Sequence, residues 1–242
     1  SRITNHYQRR SYTEKNMRVK SLLIVSGIEI AMHELPLFRG AVIRLTGGDS
    51  VWHNHGDDAL QYRYPLIQYK RIGGRAAVFA IGDGVEHLGG LLNAGTSSIW
   101  LGDRECNFTV DRLLPGNTFI QTWQHEFHYH LRKWLPLNSE NYARYQATGS
   151  VAEHAIMLED ILTANMLSMC KGLCITVEKT IECAITHIDE PRKEYYKGTP
   201  MMSFDVEFGT NMSLPDYIGL GKGVSLGHGV CVERKIHKNN KN

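Results

Sequence analysis

The feature of this sequence that most restricts its fold is the order of its predicted strands and helices. A segment rich in β-branched residues predicts a long strand, and the next segment has apolar residues at helical spacing. The turn Gly73–Gly74 then joins two strand-like segments, which predicts a β-hairpin, and a second helical segment and a short strand follow. These segments are residues 19–30, 35–45, 66–72, 75–81, 85–95 and 98–101. The first half therefore predicts the order β-α-β-β-α-β.

The second half of the chain repeats this order up to its last helix. Ser150 and Glu153 form a capping box before a helix that ends at Gly172. Where a second helix is due, the segment LPDYIGLGKGVSLGHG contains too many glycines for a regular helix. The strands are expected at 126–135, 175–185, 202–208 and 230–234. We therefore predict an α+β fold of two tandem ferredoxin-like (RRM-like) β-α-β-β-α-β domains, the second with its last helix replaced by a glycine-rich loop.

The charge of the chain is concentrated at its two ends. Residues 1–20 carry six Lys or Arg and one Glu, and residues 231–242 carry four Lys or Arg and one Glu. The ends therefore sum to +8, and the rest of the chain to 2 − 8 = −6. Basic ends permit binding to a polyanion but do not require it. The predicted domains are a basic N-terminal extension, 1–16, an N-terminal ferredoxin-like domain, 17–105, and a C-terminal one, 106–242.

Cysteine usage and hydropathy indicate the compartment. The five cysteines form no C-x-x-C pair, which favours reduced thiols in the cytoplasm. No apolar run is long enough to span a bilayer, and the first residues lack the apolar core of a signal peptide. We therefore expect a cytoplasmic protein with no membrane partner.

The loop ahead of the predicted hairpin contains His53 and His55 in the stretch HNHGDD, and three interpretations are open. A metal site is one, because His and Asp are common metal ligands. An acid–base pair for RNA cleavage is the second, since one imidazole can deprotonate a ribose 2′-hydroxyl while Lys70, or Arg63 nearby, stabilises the charge that develops at phosphorus. The third is a solvated polar loop.

A second candidate is the segment Gly219–Gly229, GLGKGVSLGHG, where glycines surround Lys222 and His228. Glycine lets backbone N–H groups approach phosphates, and lysine adds charge. The spacing fits neither a Walker A loop nor a dinucleotide-binding turn, so no nucleotide cofactor is expected. The alternative is a tight connection in which glycine only meets conformational needs.

A third candidate is the strand segment EFHYH, where alternation puts Glu126, His128 and His130 on one face. A metal site there and a half-exposed face that receives nucleic acid are the alternatives.

Four motifs, taken in order, resemble those of the CRISPR-associated endoribonucleases that process precursor CRISPR RNA, the sixth Cas family within the repeat-associated mysterious protein superfamily. They are LFRG at 37–40, WHNH with YRYPLIQYK at 52–70, LRKWLPLN at 131–138 with ENYARY after it, and LPDYIGLGKGVSLGHG. The similarity spans roughly 17–234 and looks closest to the subgroup with an HNH-like stretch ahead of YPLIQYK. The resemblance implies cleavage of repeat RNA without a metal or other cofactor, leaving 2′,3′-cyclic phosphate and 5′-hydroxyl ends.

Carried over to this sequence, the resemblance implies His53, His55 and Tyr62 as catalytic residues. His228 departs from the aromatic or apolar residue common at its position, which leaves its role open between stacking and catalysis. The expected RNA-binding residues are Arg39, Lys70, Gly219, Gly221, Lys222, Gly223, Gly227, His228 and Gly229.

The expected partner is the CRISPR repeat of the precursor RNA, with effector-complex Cas proteins and a second copy of the chain, in a homodimer, as further candidates. Two other functions stay open. One is a catalytically inactive subunit that binds repeat RNA, and the other is a metal-dependent phosphodiesterase that uses HNHGDD.

Overall fold

A computed structural model of the chain describes residues 18–48, 52, 64–94 and 97–235. Contacts divide the chain into two compact units, of which the first runs to Ile120 and includes 168–176 and 224–227. The second unit comprises the rest. The boundary lies later in the chain than the expected 105/106, because residues 110–119 form a strand of the first unit.

The first unit is built on a four-stranded sheet in which every neighbouring pair is antiparallel, in the order β2-β3-β1-β6. This is the strand order of a ferredoxin-like domain, with β6 as its fourth strand. The elements are β1 (Arg18–Glu29), α1 (Leu35–Leu45), β2 (Ile67–Ile72), β3 (Arg75–Ile81), α2 (Gly89–Asn93), β4 (Ser97–Leu101), β5 (Arg104–Phe108) and β6 (Val110–Phe119), with 3-10 turns at Met32–Glu34 and Gly82–Leu88.

The core of this unit lies between α1 and the sheet. The helix accepts a proline in its first turn, where the missing N–H has no intrahelical acceptor. Its buried face includes Phe38 and Val42, which pack in one cluster with Ile67 and Tyr69 of β2. Because strand residues alternate between faces, Gln68 and Lys70 lie on the opposite side of β2, where they are also buried.

The expectation that residues 98–101 close the first sheet is wrong. These residues form β4, which among the described strands pairs only with β5, in a separate hairpin whose Ile99 and Phe108 join the core. The fourth strand of the sheet is β6, which follows β1 from Phe119 to Val110. Pro115 and Gly116 hide this strand in the sequence, but proline is tolerated at an edge strand, which has neighbours on one side only.

The second unit has the same topology, with sheet order β11-β7-β10-β8 and antiparallel pairing throughout. A long helix buries Leu158, Leu162 and Met166, as its apolar spacing predicts. The elements that this half of the chain contributes are β7 (Thr122–Trp134), α3 (Ser139–Ala147), α4 (Val151–Gly172), β8 (Cys183–Ile188), β9 (Arg192–Tyr196), β10 (Thr199–Met212) and β11 (Val230–Glu233).

The glycine-rich connection stands where a second helix of this unit is due, since β10 is followed by turns and bends up to β11. The predicted α+β fold class with two ferredoxin-like units is therefore confirmed. Two details differ from the expectation. The strand expected at 175–185 begins only at Cys183, and β9 adds an unexpected hairpin to β10. Among the described residues, no helix combines the length and apolar character that a membrane span requires.

Candidate nucleic-acid interface

The three predicted catalytic residues, His53, His55 and Tyr62, lie outside the described residues, and their roles stay predictions. Both ends of their segment are anchored in the first unit. Trp52 is buried in the core cluster of α1. At the other end, the Tyr64 hydroxyl accepts a hydrogen bond of 2.9 Å from the Gln68 amide. Trp52 and Tyr64, the described residues on either side of this stretch, both belong to the first unit.

Lys70, expected to contact RNA, is fully buried. Its Nζ donates to Gln68 Oε1 at 2.9 Å and lies 5.4 Å from the centre of the Phe79 ring. Gln68 in turn donates to the Tyr64 hydroxyl and to the Pro65 carbonyl. Through Gln68, Lys70 is therefore linked to Tyr64 and Pro65. Its contact with RNA stays a prediction.

Arg39, the other expected RNA contact of the first unit, is half-buried on α1. Its positive charge acts on the hydroxyl of the buried Tyr69, but burial dominates and raises the pKa of that phenol above its ordinary value. Tyr69 therefore stays protonated at neutral pH. Its backbone N–H donates to the carbonyl of Ser225 at 3.1 Å, and both residues belong to the first unit.

In the second unit, Gly221, Lys222 and Gly223 alternate in the sign of φ. Gly221 has φ +89° and Gly223 has φ +76°, whereas Lys222 has a negative φ. Such alternation turns successive N–H groups toward one side and forms a nest that suits an anion. No described residue accepts a hydrogen bond from these three N–H groups. The loop thus places three N–H donors with no acceptor among the described residues next to a lysine, a combination that suits an anion.

Lys222 is the exposed residue of the segment 219–229, and its glycine neighbours are buried or half-buried. The second unit supports the loop from two sides. An added Cβ at Gly221 would lie 2.7 Å from Trp134 Nε1, which donates to Asn165 Oδ1 at 2.9 Å. An added Cβ at Gly223 would lie 3.0 Å from the Tyr196 ring. The glycines are therefore required for close packing as well as for backbone conformation.

His228 is buried, with 5% of its surface exposed, and its ring meets the Tyr196 ring edge-on at 5.6 Å. Burial lowers the pKa of His228 below its ordinary value. Lys133 lowers it further, and Glu194 and a hydrogen bond to the Lys133 backbone oppose the shift. The ring is therefore neutral at pH 7. No ring face is open for a base to stack on in this conformation, and its RNA contact stays a prediction.

On the strand face of Glu126, His128 and His130, each histidine lies beside a carboxylate. His128 lies 3.7 Å from Glu126, and His130 lies 3.5 Å from Glu207, which also pairs with Arg234. Among the described residues, no group of three or more His, Cys, Asp or Glu is arranged to hold a metal ion.

Sequence reasoning missed the support that Tyr196 and the Trp134–Asn165 pair give to the loop. Alternation puts Glu194 and Tyr196 on one face of β9 and Lys193 and Tyr195 on the other. The segment KEYYKG, with aromatic residues ahead of Gly198, was the available signal for a hairpin turn.

Comparison with known proteins gives the family. A model of the Cas6b N-terminal domain matches residues 16–118, and a model of the Cas6b C-terminal domain matches residues 121–234. The chain belongs to the Cas6b family. The two matches meet near Ile120, where the contact-based units also divide. The family resemblance read from the four sequence motifs is thereby confirmed, whereas the finer subgroup stays a prediction.

Solved structures agree with this assignment. The chain is similar to a Cas6b crystal structure with a TM-score of 0.81 and 25% identity, covering 90% of this chain and 100% of that one. A second structure, titled a CRISPR RNA processing endoribonuclease Cas6b, has a TM-score of 0.70 and 23% identity over the same shares. A type IV Cas6 crRNA endonuclease shares the fold with a TM-score of 0.56 and 14% identity, covering 90% of this chain and 100% of that one.

One curated relative, an uncharacterized protein of Methanocaldococcus jannaschii, is 35% identical over 99 residues. The match covers 41% of this chain and 66% of that protein, which is just under two thirds of its length.

Proposed function

We propose that this Cas6b-family protein is an endoribonuclease that cuts the repeat of a precursor CRISPR RNA by attack of a ribose 2′-hydroxyl. The observation that carries the proposal is the match of both ferredoxin-like units to the two Cas6b domain models. A relative with the same fold is titled a CRISPR RNA processing endoribonuclease. The anion-binding geometry around Lys222 supports RNA as the ligand.

The proposed chemistry needs no metal, because the nucleophile belongs to the RNA. A histidine of the HNH stretch takes the proton of the 2′-hydroxyl, which attacks the adjacent phosphorus. The 5′-oxygen leaves with a proton from a second group, so that the products are a 2′,3′-cyclic phosphate and a 5′-hydroxyl. His53, His55 and Tyr62 are the residues proposed for these transfers. Repeat RNA is the partner this mechanism requires, and effector proteins and a homodimer stay predictions.

The two histidines are proposed to differ in role. An extended backbone allows both side chains to face one side, but the two proton transfers occur on opposite sides of one phosphorus. One histidine therefore acts as the acid or base, and the other orients it or the substrate. The His→Ala change at the catalytic position should slow cleavage by about 10²–10⁴-fold, or roughly 3–5 kcal/mol in the barrier. RNA affinity should stay nearly intact.

The test is single-turnover cleavage of repeat RNA with a 2′-deoxy ribose just upstream of the cut, with an all-ribose RNA as control. The deoxy substrate should bind and stay uncut, and efficient cutting of it would exclude the mechanism. Inhibition of the all-ribose reaction by EDTA would favour a metal-dependent phosphodiesterase. Tight binding without cleavage would favour an RNA-binding subunit. If both His→Ala variants cut at the wild-type rate, the catalytic residues lie elsewhere.

A further inference from the structure

Tyr196, the last residue of β9, contacts three residues of the glycine-rich loop that are distant from it in sequence. The Nζ of Lys222 lies 5.8 Å from the centre of its ring. The ring of His228 meets it edge-on at 5.6 Å with an interplanar angle of 89°. Tyr196 Cε2 would lie 3.0 Å from a Cβ at Gly223. One aromatic ring therefore touches the cation of the loop, its buried imidazole and one of its positive-φ glycines.

We propose that Tyr196 is the positioning residue of the RNA-binding loop and that its ring aims Lys222 at a phosphate held by the neighbouring backbone N–H groups. This inference rests on the proposed function, since the phosphate belongs to repeat RNA. None of the four sequence motifs that carry the family resemblance includes Tyr196. Its role follows from the position of β9 beside the loop.

The physical basis is the order that the ring imposes on an exposed side chain. Lys222 is exposed, and a lysine has a flexible four-carbon stem that loses rotamer freedom when it binds a phosphate. An ammonium group above an aromatic ring is attracted by the ring's quadrupole, which restricts that freedom before the ligand arrives. The Lys222 side chain is then already partly ordered in the free protein, so less entropy is lost on binding and the affinity for RNA is higher.

The loop backbone gains from the same ring. Gly223 and Gly221 hold the φ values that alternate with that of Lys222, and the backbone N–H of His228 donates to the Gly223 carbonyl at 3.3 Å. The Tyr196 ring fills the space against Gly223 and the His228 ring. If the Tyr196 ring were removed, both the backbone at Gly223 and the Lys222 side chain would lose a packing contact. A second cation, Lys197, lies 5.7 Å from the same ring, so the ring also gathers positive charge beside the loop.

The experiment measures repeat-RNA affinity at several salt concentrations for Tyr196→Leu and Tyr196→Phe. Tyr196→Phe keeps the ring that contacts Lys222, Gly223 and His228, so the affinity of the Phe variant should lie closer to wild type than that of the Leu variant. The Leu variant should bind about three- to tenfold more weakly. It should also lower the slope of log K against log [salt] by about one, because Lys222 no longer holds its phosphate. In a Lys222→Ala background, Tyr196→Leu should add little.

The matched control is Tyr195→Leu. Tyr195 lies on the opposite face of β9 with 67% of its surface exposed, and Lys193 lies over its ring at 5.5 Å. This variant should leave the salt slope unchanged. If it weakens binding as much as Tyr196→Leu does, the hairpin contacts RNA directly and the positioning role is wrong. Full additivity with Lys222→Ala, or a Phe variant as weak as the Leu variant, would also overturn the proposal.

A measurement without RNA separates this inference from the proposed function. With the lysine side chains labelled with ¹³C, the ε-methylene protons of Lys222 should show a ring-current shift in wild type and Tyr196→Phe, and lose it in Tyr196→Leu. A Lys222 signal at its random-coil position in wild type would overturn the inference even if the Leu variant does not fold. A shifted signal in a protein that does not bind repeat RNA would instead refute the proposed function and leave the ring contact in place.

Discussion

Within the glycine-rich loop, Lys222 and His228 share one aromatic neighbour but differ in exposure and charge. Lys222 is exposed, carries its charge in water and lies beside a nest of N–H groups. His228 is buried, and burial lowers its pKa. The lysine is therefore suited to bind an anion, whereas the histidine maintains the loop conformation from within.

Lys222→Ala should weaken RNA binding at low salt. If Lys222 contacts one phosphate, the slope of log K against log [salt] should fall by about one unit, because one fewer counterion is released. The measurement is a fluorescence binding titration at several salt concentrations. Lys193→Ala, on the outward face of β9, is the control for loss of one positive charge nearby. An unchanged affinity and slope for Lys222→Ala would mean that the loop is only structural.

The buried His228 predicts a pH dependence of folding stability. Its pKa is lowered in the folded protein, whereas a histidine in the unfolded chain titrates near about 6.5. Between these two values the unfolded chain binds more protons, so the free energy of unfolding falls as pH falls below about 6.5. At pH values below the pKa that His228 has in the folded protein, this residue causes no further loss of stability.

The check is urea unfolding between neutral and mildly acidic pH for wild type and His228→Gln. The variant should lose less stability over this range, by at most about 1.4 kcal/mol per pH unit for one proton. His33→Gln, at an exposed position, is the control for loss of a histidine side chain outside the buried loop. Identical profiles for His228→Gln and wild type would show that His228 does not couple to folding.

At the scale of elements, the loop that replaces a helix works because its glycines combine positive φ with close packing. Gly229 has φ +62°, and a Cβ there would overlap the carbonyl of Leu220, whose N–H donates to Gly229 at 2.8 Å. Gly198, in the turn between β9 and β10, has φ +78° and nothing near its added Cβ. The two positions therefore separate the cost of the backbone conformation from the cost of the overlap.

Gly198→Ala should cost about 1–2 kcal/mol of unfolding free energy, which is the cost of a left-handed conformation. Gly229→Ala should cost that amount plus about 1–3 kcal/mol for overpacking. Chemical denaturation measures the unfolding free energy of each variant, and circular dichroism confirms that each has the native content of helix and strand. Equal losses for the two variants would show that the loop relaxes away from Leu220.

At the scale of the whole molecule, the first compact unit is not continuous in sequence. It includes 168–176 and 224–227 as well as the N-terminal half. Gly172 packs so closely on Tyr64 that no side chain would fit between them, and Ser225 accepts a hydrogen bond from Tyr69. The first half of the chain therefore completes its structure with segments that are synthesised much later.

A fragment that ends at Ile120 should consequently unfold at a lower temperature than the first unit does in the intact chain. It lacks the backbone acceptor for Tyr69 and the packing surface at Gly172. Thermal unfolding of the fragment and of the full chain, followed by circular dichroism, tests this. Hydrogen exchange of the β2 amides is also measured in both, with the full chain as the reference. A fragment with full protection of the β2 amides would contradict the prediction.

Local sequence patterns alone determined the class of the fold, the glycine-rich loop in place of a helix and the family resemblance. Apolar spacing and glycine content determine local conformation and burial, so these features can be predicted from the sequence without the tertiary structure. Only the tertiary structure decided that β6, rather than residues 98–101, closes the first sheet, because strand pairing depends on which edge is open. It also decided that Lys70 is enclosed with Gln68, and that Tyr196 faces Lys222. Those contacts join residues distant in sequence or on separate strands, and no local pattern specifies such a pairing.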